Sequence, residues 1–89
     1  MHAVVLNVTV HEPEAGTRAL REQVVPRVSQ ARGFIAGYWL AMPGGRGLSL
    51  LVFDSQDAAR TMAEQAQPPG DFVTFDSLEI AEVVAHAPA

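Results

Sequence analysis

The sequence predicts an α+β fold in which a four-stranded antiparallel sheet carries two helices on one face. Three observations predict it. Runs of β-branched and aromatic residues of strand length stand at Ala3 to Val10, on both sides of a PGGRG turn between Gly33 and Phe53, and at Ser77 to Ala87. Two stretches with apolar residues at helical spacing separate them, one before the hairpin and one after it. The resulting order is strand, helix, strand, strand, helix, strand, and two right-handed βαβ units of that kind interleave into one sheet of spatial order 4-1-3-2.

In the first strand, AVVLNVTV, one parity is wholly apolar (Val4, Leu6, Val8, Val10), while the other carries Val5, Asn7 and Thr9. Alternation sends the two sets to opposite faces, one core and one mixed. Glu12, Pro13 and Glu14 suit a helical first turn, because proline there gives up a donor that would go unused and acids favour the positive end of the helix. Gly16 and Thr17 offer a rival start with Thr17 as cap. Leu20, Val24, Val28 and Ala31 then form a stripe that Val25 widens. Pro26 lies inside this helix, where it removes an amide donor and costs ~3 kcal/mol in a regular interior, so a kink is expected there.

Gly33 ends the helix and the hairpin begins. If Gly44 and Gly45 form a two-residue turn, Trp39 pairs with Leu50; one more turn residue pairs it with Leu51. The second hairpin strand runs into Asp54 and Ser55, either of which can cap the next helix. There Ala58, Met62 and Ala66, beside Ala59 and Ala63, make a small-residue face that lets the helix lie close on a sheet. Gln67 to Gly70 ends it. Phe72 and Phe75 are expected in a loop or short extended segment before the last strand, SLEIAEVVAHA.

With 89 residues the chain makes one domain, 1–89, without room for a second core. Ten acids stand against six scattered arginines and no lysine, so there is no basic patch and nucleic acid is not an expected partner. There is no cysteine for a disulfide or a thiolate site. The start lacks a basic segment and a small-residue cleavage site, and no apolar run approaches the ~20 residues that span a bilayer, so a cytoplasmic protein without a membrane partner is expected. Two helices cover only one face of the sheet. The other, apolar on several strands, needs a second copy, and a C2 homodimer is the expected solution.

The order of elements, with RGFIAGYWL entering the second strand, GLSLLVFDSQDAA leading the third strand into a small-residue helix, and the VVAHA ending, resembles the dimeric α+β barrel proteins. Within that group it resembles the small antibiotic biosynthesis monooxygenase-like domains, which have the ferredoxin-like βαββαβ fold. The group includes cofactor-independent oxygenases, haem-degrading enzymes and isomerase-like proteins. An asparagine on the first strand and a tryptophan in the cavity are typical of the oxygenase and haem-degrading sites, sometimes with a histidine. The resemblance therefore implies roles for Asn7 and Trp39, although the relatives' tryptophan usually lies on the third strand and Trp39 lies on the second.

Asn7 interrupts an apolar strand, and a buried unpaired amide would cost ~1 to 3 kcal/mol, so it must be hydrogen-bonded or wet. His11, beside Glu12 at the mouth of the barrel, is the acid/base candidate because imidazole titrates near neutrality. Tyr38, Phe72 and Phe75 are candidate ligand contacts. With Asn7 placed near Ala81, His2 falls near His86 at the far end of the sheet, a poor metal site without a carboxylate. Glu79 and Glu82 differ in parity and form no carboxylate pair. The PGGRG turn lacks phosphate-loop spacing, and Arg46 reads as a solvated turn residue. No histidine on the second helix offers an axial haem ligand, and no cofactor or metal is expected. Two functions remain open: a homodimer binding a small apolar, aromatic or polyketide-like molecule, and oxidising it without a cofactor if it is an enzyme, or a non-catalytic dimerisation module or small-ligand sensor.

Overall fold

The structure, a computed structural model, describes residues 1–88. Strand β1 (His2–Val10) leads into a first helical rod made of α1 (Pro13–Ala19), a π-helical segment (Leu20–Val24) and α2 (Val25–Ser29). The hairpin strands β2 (Phe34–Met42) and β3 (Arg46–Phe53) follow, then α3 (Gln56–Gln65) and β4 (Val73–Glu82). The sheet order is β2-β3-β1-β4 with every neighbouring pair antiparallel. That is the expected 4-1-3-2 order read from the other edge.

Period-two alternation builds the core. Val4 is opposite Leu51 on one side and Ile80 on the other. Val4 and Leu51 with Phe53 meet Val28 from the first rod and Ala59 from α3 in one buried cluster, against which Ile80 packs, so both helical elements lie on the same face. Phe53 is fully buried, and Phe34 meets it edge-on at 5.8 Å and 70°, a geometry worth ~0.5 to 1.5 kcal/mol beyond area burial. Ser55 caps α3, its hydroxyl accepting from the Ala58 amide at 3.1 Å, a bond worth ~1 kcal/mol.

The first rod starts at Pro13, as the proline-first reading expects, and Thr17 lies inside it rather than capping it. The expected disturbance at Pro26 takes the form of a π turn just ahead of it. The Val25 amide bonds to the Leu20 carbonyl, and this wider turn absorbs the place where a proline would break an α-helical ladder.

Two registers differ from expectation. Met42 pairs with Arg46 across a three-residue connection, Pro43, Gly44 and Gly45, whose glycines adopt φ of 79° and 74°. The turn thus gains its extra residue on the proline side, and Trp39 pairs with Ser49 rather than Leu50 or Leu51. Proline carries no amide for the ladder, which favours leaving Pro43 in the turn. In the last strand, pairing begins at Val73 and ends at Glu82, earlier than the Ser77–Ala87 expected. Asn7 is opposite Ser77 instead of Ala81, and His2 is opposite Glu82 instead of His86. Phe75 is therefore a strand residue, and His86 lies beyond the sheet. At the far end of β1 the His11 amide donates to the Phe72 carbonyl at 2.7 Å, which extends the pairing toward the loop before β4.

Gly33 has φ of 79°, and a β-carbon there would lie 2.5 Å from Asp54 Oδ1 and 2.9 Å from Ala58 Cβ. The Gly33→Ala variant is expected to lose about 2 kcal/mol of stability through left-handed strain and that crowding. Urea denaturation measures it.

Candidate functional site

The register assigns every strand side chain to a face. Val4 and Leu51 point to the helices, so Leu6, Ser49, Gly37, Trp39 and Leu78, which share their parity and pairing, point there too. Trp39 packs against the buried cluster, its ring lying over Gly37, where an added β-carbon would stand 2.9 Å from its Cη2 atom. Asn7 and Tyr38 face the other way, among Val5, Leu40, Leu48 and Leu50. The cavity expected to be shared by Asn7 and Trp39 is therefore absent among the described residues. The sheet itself separates them.

The uncovered face has two halves. On β2 and β3 it is apolar, with Ile35, Tyr38, Leu40 and Met42 at 49%, 58%, 47% and 38% exposure. Ile35 joins this side because a bulge lies between Phe34 and Ala36. Along β1 and β4 it is polar and internally hydrogen-bonded. Asn7 Nδ2 donates to Ser77 Oγ at 3.1 Å, Thr9 Oγ1 donates to Asp76 Oδ2 at 2.7 Å, and His11 Nε2 lies 2.8 Å from Thr74 Oγ1.

A second bulge makes this row possible. The β1–β4 register slips between Asn7 and Val8, so Asn7 faces Ser77 while Val8 faces Phe75. Asp76 is the extra residue, and it turns to the same side as Ser77 to meet Thr9. Phe75, opposite Val8, thereby stays on the helix side. Phe72 sits just before the strand with its ring over Gly70. Tyr38, Phe72 and Phe75 are thus not gathered at one place.

Thr74, Asp76 and Ser77 are the residues that sequence reasoning missed. The signal for them is a polar set, Asn7, Thr9 and His11, at alternate positions of one strand, with a second polar set in the strand that pairs with it. Chemically the row presents both acceptors and donors. Asn7 uses one amide hydrogen on Ser77 and keeps the other together with Oδ1, Asp76 keeps a second carboxylate oxygen, and His11 keeps Nδ1, which accepts or donates according to the tautomer. Such a surface suits a polar group on a partner, with the Asp76 carboxylate favouring an O–H or N–H donor.

Of the surface grooves, one lies outside the first rod along Glu14, Arg18 and Arg21, and another runs under the loop at Gln67, Pro68 and Asp71 to Thr74. Neither reaches Asn7, Tyr38 or Trp39. Between helices and sheet the space is filled by Val4, Val28, Phe53 and Ala59 with Trp39 and Leu78 packed against them.

A four-stranded antiparallel sheet in the order β2-β3-β1-β4, with the helices packed on one face and the other face open, gives this chain the ferredoxin-like fold. No family model matches the chain, and no curated protein matches it. Solved structures do. The heme-degrader MhuD from Mycobacterium tuberculosis, with two hemes bound in its active site, superposes with a TM-score of 0.71 at 19% identity over 99% of this chain and 100% of that one. An MhuD mutant with two manganese protoporphyrin IX bound per active site gives 0.72 at 20% identity over 100% of both chains. The heme-free, cleaved form of the Mycobacterium tuberculosis protein gives 0.59 at 22% identity over 99% of this chain and 100% of that one. These likenesses show the shared fold.

The helical rods of this chain offer no side chain suited to ligate a haem iron. Neither helical rod contains a histidine, cysteine or tyrosine, and Met62, the one thioether on α3, is packed against the core. His11, on the uncovered side, is engaged with Thr74.

The two adjacent aromatics should behave as residues of different faces. Trp39→Ala is expected to lose about 3 kcal/mol of stability as a core truncation. Tyr38→Ser should change the unfolding free energy of the single chain by less than about 0.5 kcal/mol. Chemical denaturation at low protein concentration, followed by circular dichroism, distinguishes them.

Proposed function

We propose that the chain is a homodimeric α+β barrel protein that binds a small aromatic or otherwise apolar molecule carrying O–H or N–H donors between its two sheets. The observation that carries this reading is the uncovered sheet face, apolar on β2 and β3 and lined by a hydrogen-bonded polar row on β1 and β4. A second copy placed on that face takes Ile35, Tyr38, Leu40 and Met42 out of water, at ~25 cal/mol for each Å² of apolar surface removed. The polar row cannot be closed against apolar side chains without cost, so it belongs beside a ligand or trapped water.

In this reading Asn7, His11 and Asp76 orient the ligand through their free polar atoms, Tyr38 supplies an aromatic surface, and Trp39 supports the sheet from behind. If the bound molecule is a phenol or an anthrone, His11 is the group placed to take its proton, and the resulting anion would itself be the reductant for oxygen. The MhuD structures hold heme or manganese protoporphyrin. That ligand is not carried over to this chain, because the helical rods offer no His, Cys or Tyr ligand and the space beneath them is filled.

Sedimentation at micromolar concentration is expected to give a dimer, and Leu40→Asp a monomer. A wild-type monomer would overturn the reading. Titration with a phenol and anthrone panel is expected to show saturable binding that Asn7→Ala weakens about fivefold, the equivalent of one hydrogen bond of ~1 kcal/mol. Equal affinity in both proteins would remove Asn7 from the site, and equal aerobic turnover would remove it from any chemistry. Hemin titration should give no saturable one-to-one Soret shift.

A further inference from the structure

The polar row and the apolar half of the open face lie too far apart in one chain to hold the same small ligand. Asn7 is opposite Leu48, and Leu48 is opposite Leu40, so Asn7 and Leu40 share one level of the sheet two strands apart. Asp76, on β4, lies a strand farther out, beyond Thr9. At ~4.8 Å per strand these separations are ~10 to 14 Å. A single-ring phenol held by Asn7 or Asp76 therefore lays its ring over the row itself, and the exposed Tyr38, Leu40 and Met42 of its own chain stay out of reach.

The open faces of two copies can be related by a two-fold axis that runs across the strands or along them. An axis across the strands lays each strand on its own copy. It stacks β4 on β4 and sets Asp76 and Glu79, both on the open face, against the same two acids. Like charges so placed oppose association. An axis along the strands lays β4 over β2 and β1 over β3, and it keeps every residue at its own level. Thr9 pairs with Arg46 and bonds to Asp76, so Asp76 then stands level with Arg46 of the second copy, the one arginine in the sheet. The charges select this arrangement. Asn7 in turn faces Leu48 of the second copy, with Leu40 of that copy beside it.

We propose that each ligand site is shared between the two copies: Asn7 and Asp76 of one copy hold the polar group of the ligand, and Leu40, Leu48 and Tyr38 of the other form the wall against which its ring lies. The inference rests on the ligand-binding homodimer proposed above and deepens it by assigning the two halves of the site to different chains. Packed sheets stand ~10 Å apart, a gap that a ring bound on the row of one copy crosses to reach the wall of the other. The row is built of short side chains, Asn7, Ser77, Thr9 and Thr74, and leucines face it, so the space for a ligand opens on the polar side of each contact. The two-fold gives two such sites per dimer, and neither is complete in one chain.

Mixed dimers test the sharing. Subunits carrying Asn7→Ala and subunits carrying Leu40→Ala, given different affinity tags, are allowed to exchange, and the mixed dimer is isolated. Both side chains are exposed in the single chain, so each variant keeps its fold. Titrated with 1-naphthol, each homodimer is expected to bind about fivefold more weakly than wild type at both sites. A shared site puts both defects of the mixed dimer in one site and none in the other, so one ligand binds with wild-type affinity. Two equally weakened sites overturn the sharing and leave ligand binding by the dimer standing. Unchanged affinity in the Asn7→Ala homodimer, or a monomeric wild type, removes both. A second readout does not depend on Leu40. In a dimer of one wild-type chain and one isotope-labelled Asn7→Ala chain, 4-azidophenol photolysed below saturation should mark β2 and β3 of the Asn7→Ala chain about fivefold more than those of the wild-type chain. Equal or reversed marking overturns the sharing.

Discussion

Val4, Leu51 and Phe53 close against Val28 and Ala59, and that contact decides what every other strand residue does. Once these side chains point to the helices, alternation leaves no freedom for their neighbours. Asn7, Tyr38 and Leu50 must turn outward because Leu6, Trp39 and Leu51 turn inward. The packed side is stabilised by apolar burial and by the Phe34–Phe53 edge contact, while the other is held only by backbone ladders and exposed side-chain bonds. A sheet with so unequal faces has one side without a cover among the described residues. Its chemistry is to be sought where the core is not.

The likeness to the MhuD structures is a likeness of frame. The space between helices and sheet is set by side-chain volume, not by strand order. Here Trp39, Leu78 and Met62 fill it against small alanines of α3. A shared fold does not carry a shared function with it.

Much of the frame was legible in the sequence. The apolar parity of β1, the hairpin around PGGRG and the alanine face of α3 each follow from one local rule, and together they give the strand order. The site was less legible, for reasons that lie in pairing. Tyr38 and Trp39 read as residues of opposite faces, yet their assignment depended on whether Pro43 belongs to the turn or to the strand. The β-branched VVAHA segment drew the last strand too far along the chain, and with it placed Asn7 opposite Ala81. A bulge leaves no mark on the strand that carries it, since the extra residue is defined only against a neighbour. The polar row therefore appeared as one odd asparagine and a histidine.

Asp76 has a consequence that reaches past its bond to Thr9. One additional residue in a strand resets the alternation for everything on that side of it, so Thr74 reaches His11 while Phe75 remains with Val8. The bulge works as a phase shift between two otherwise ordinary stretches of strand. Removing that single position would exchange the faces of Val73, Thr74 and Phe75 together, taking the threonine from the open surface and setting an aromatic ring in its place. The surface chemistry of this sheet can thus be rewritten by a change in length alone, with no residue replaced by another.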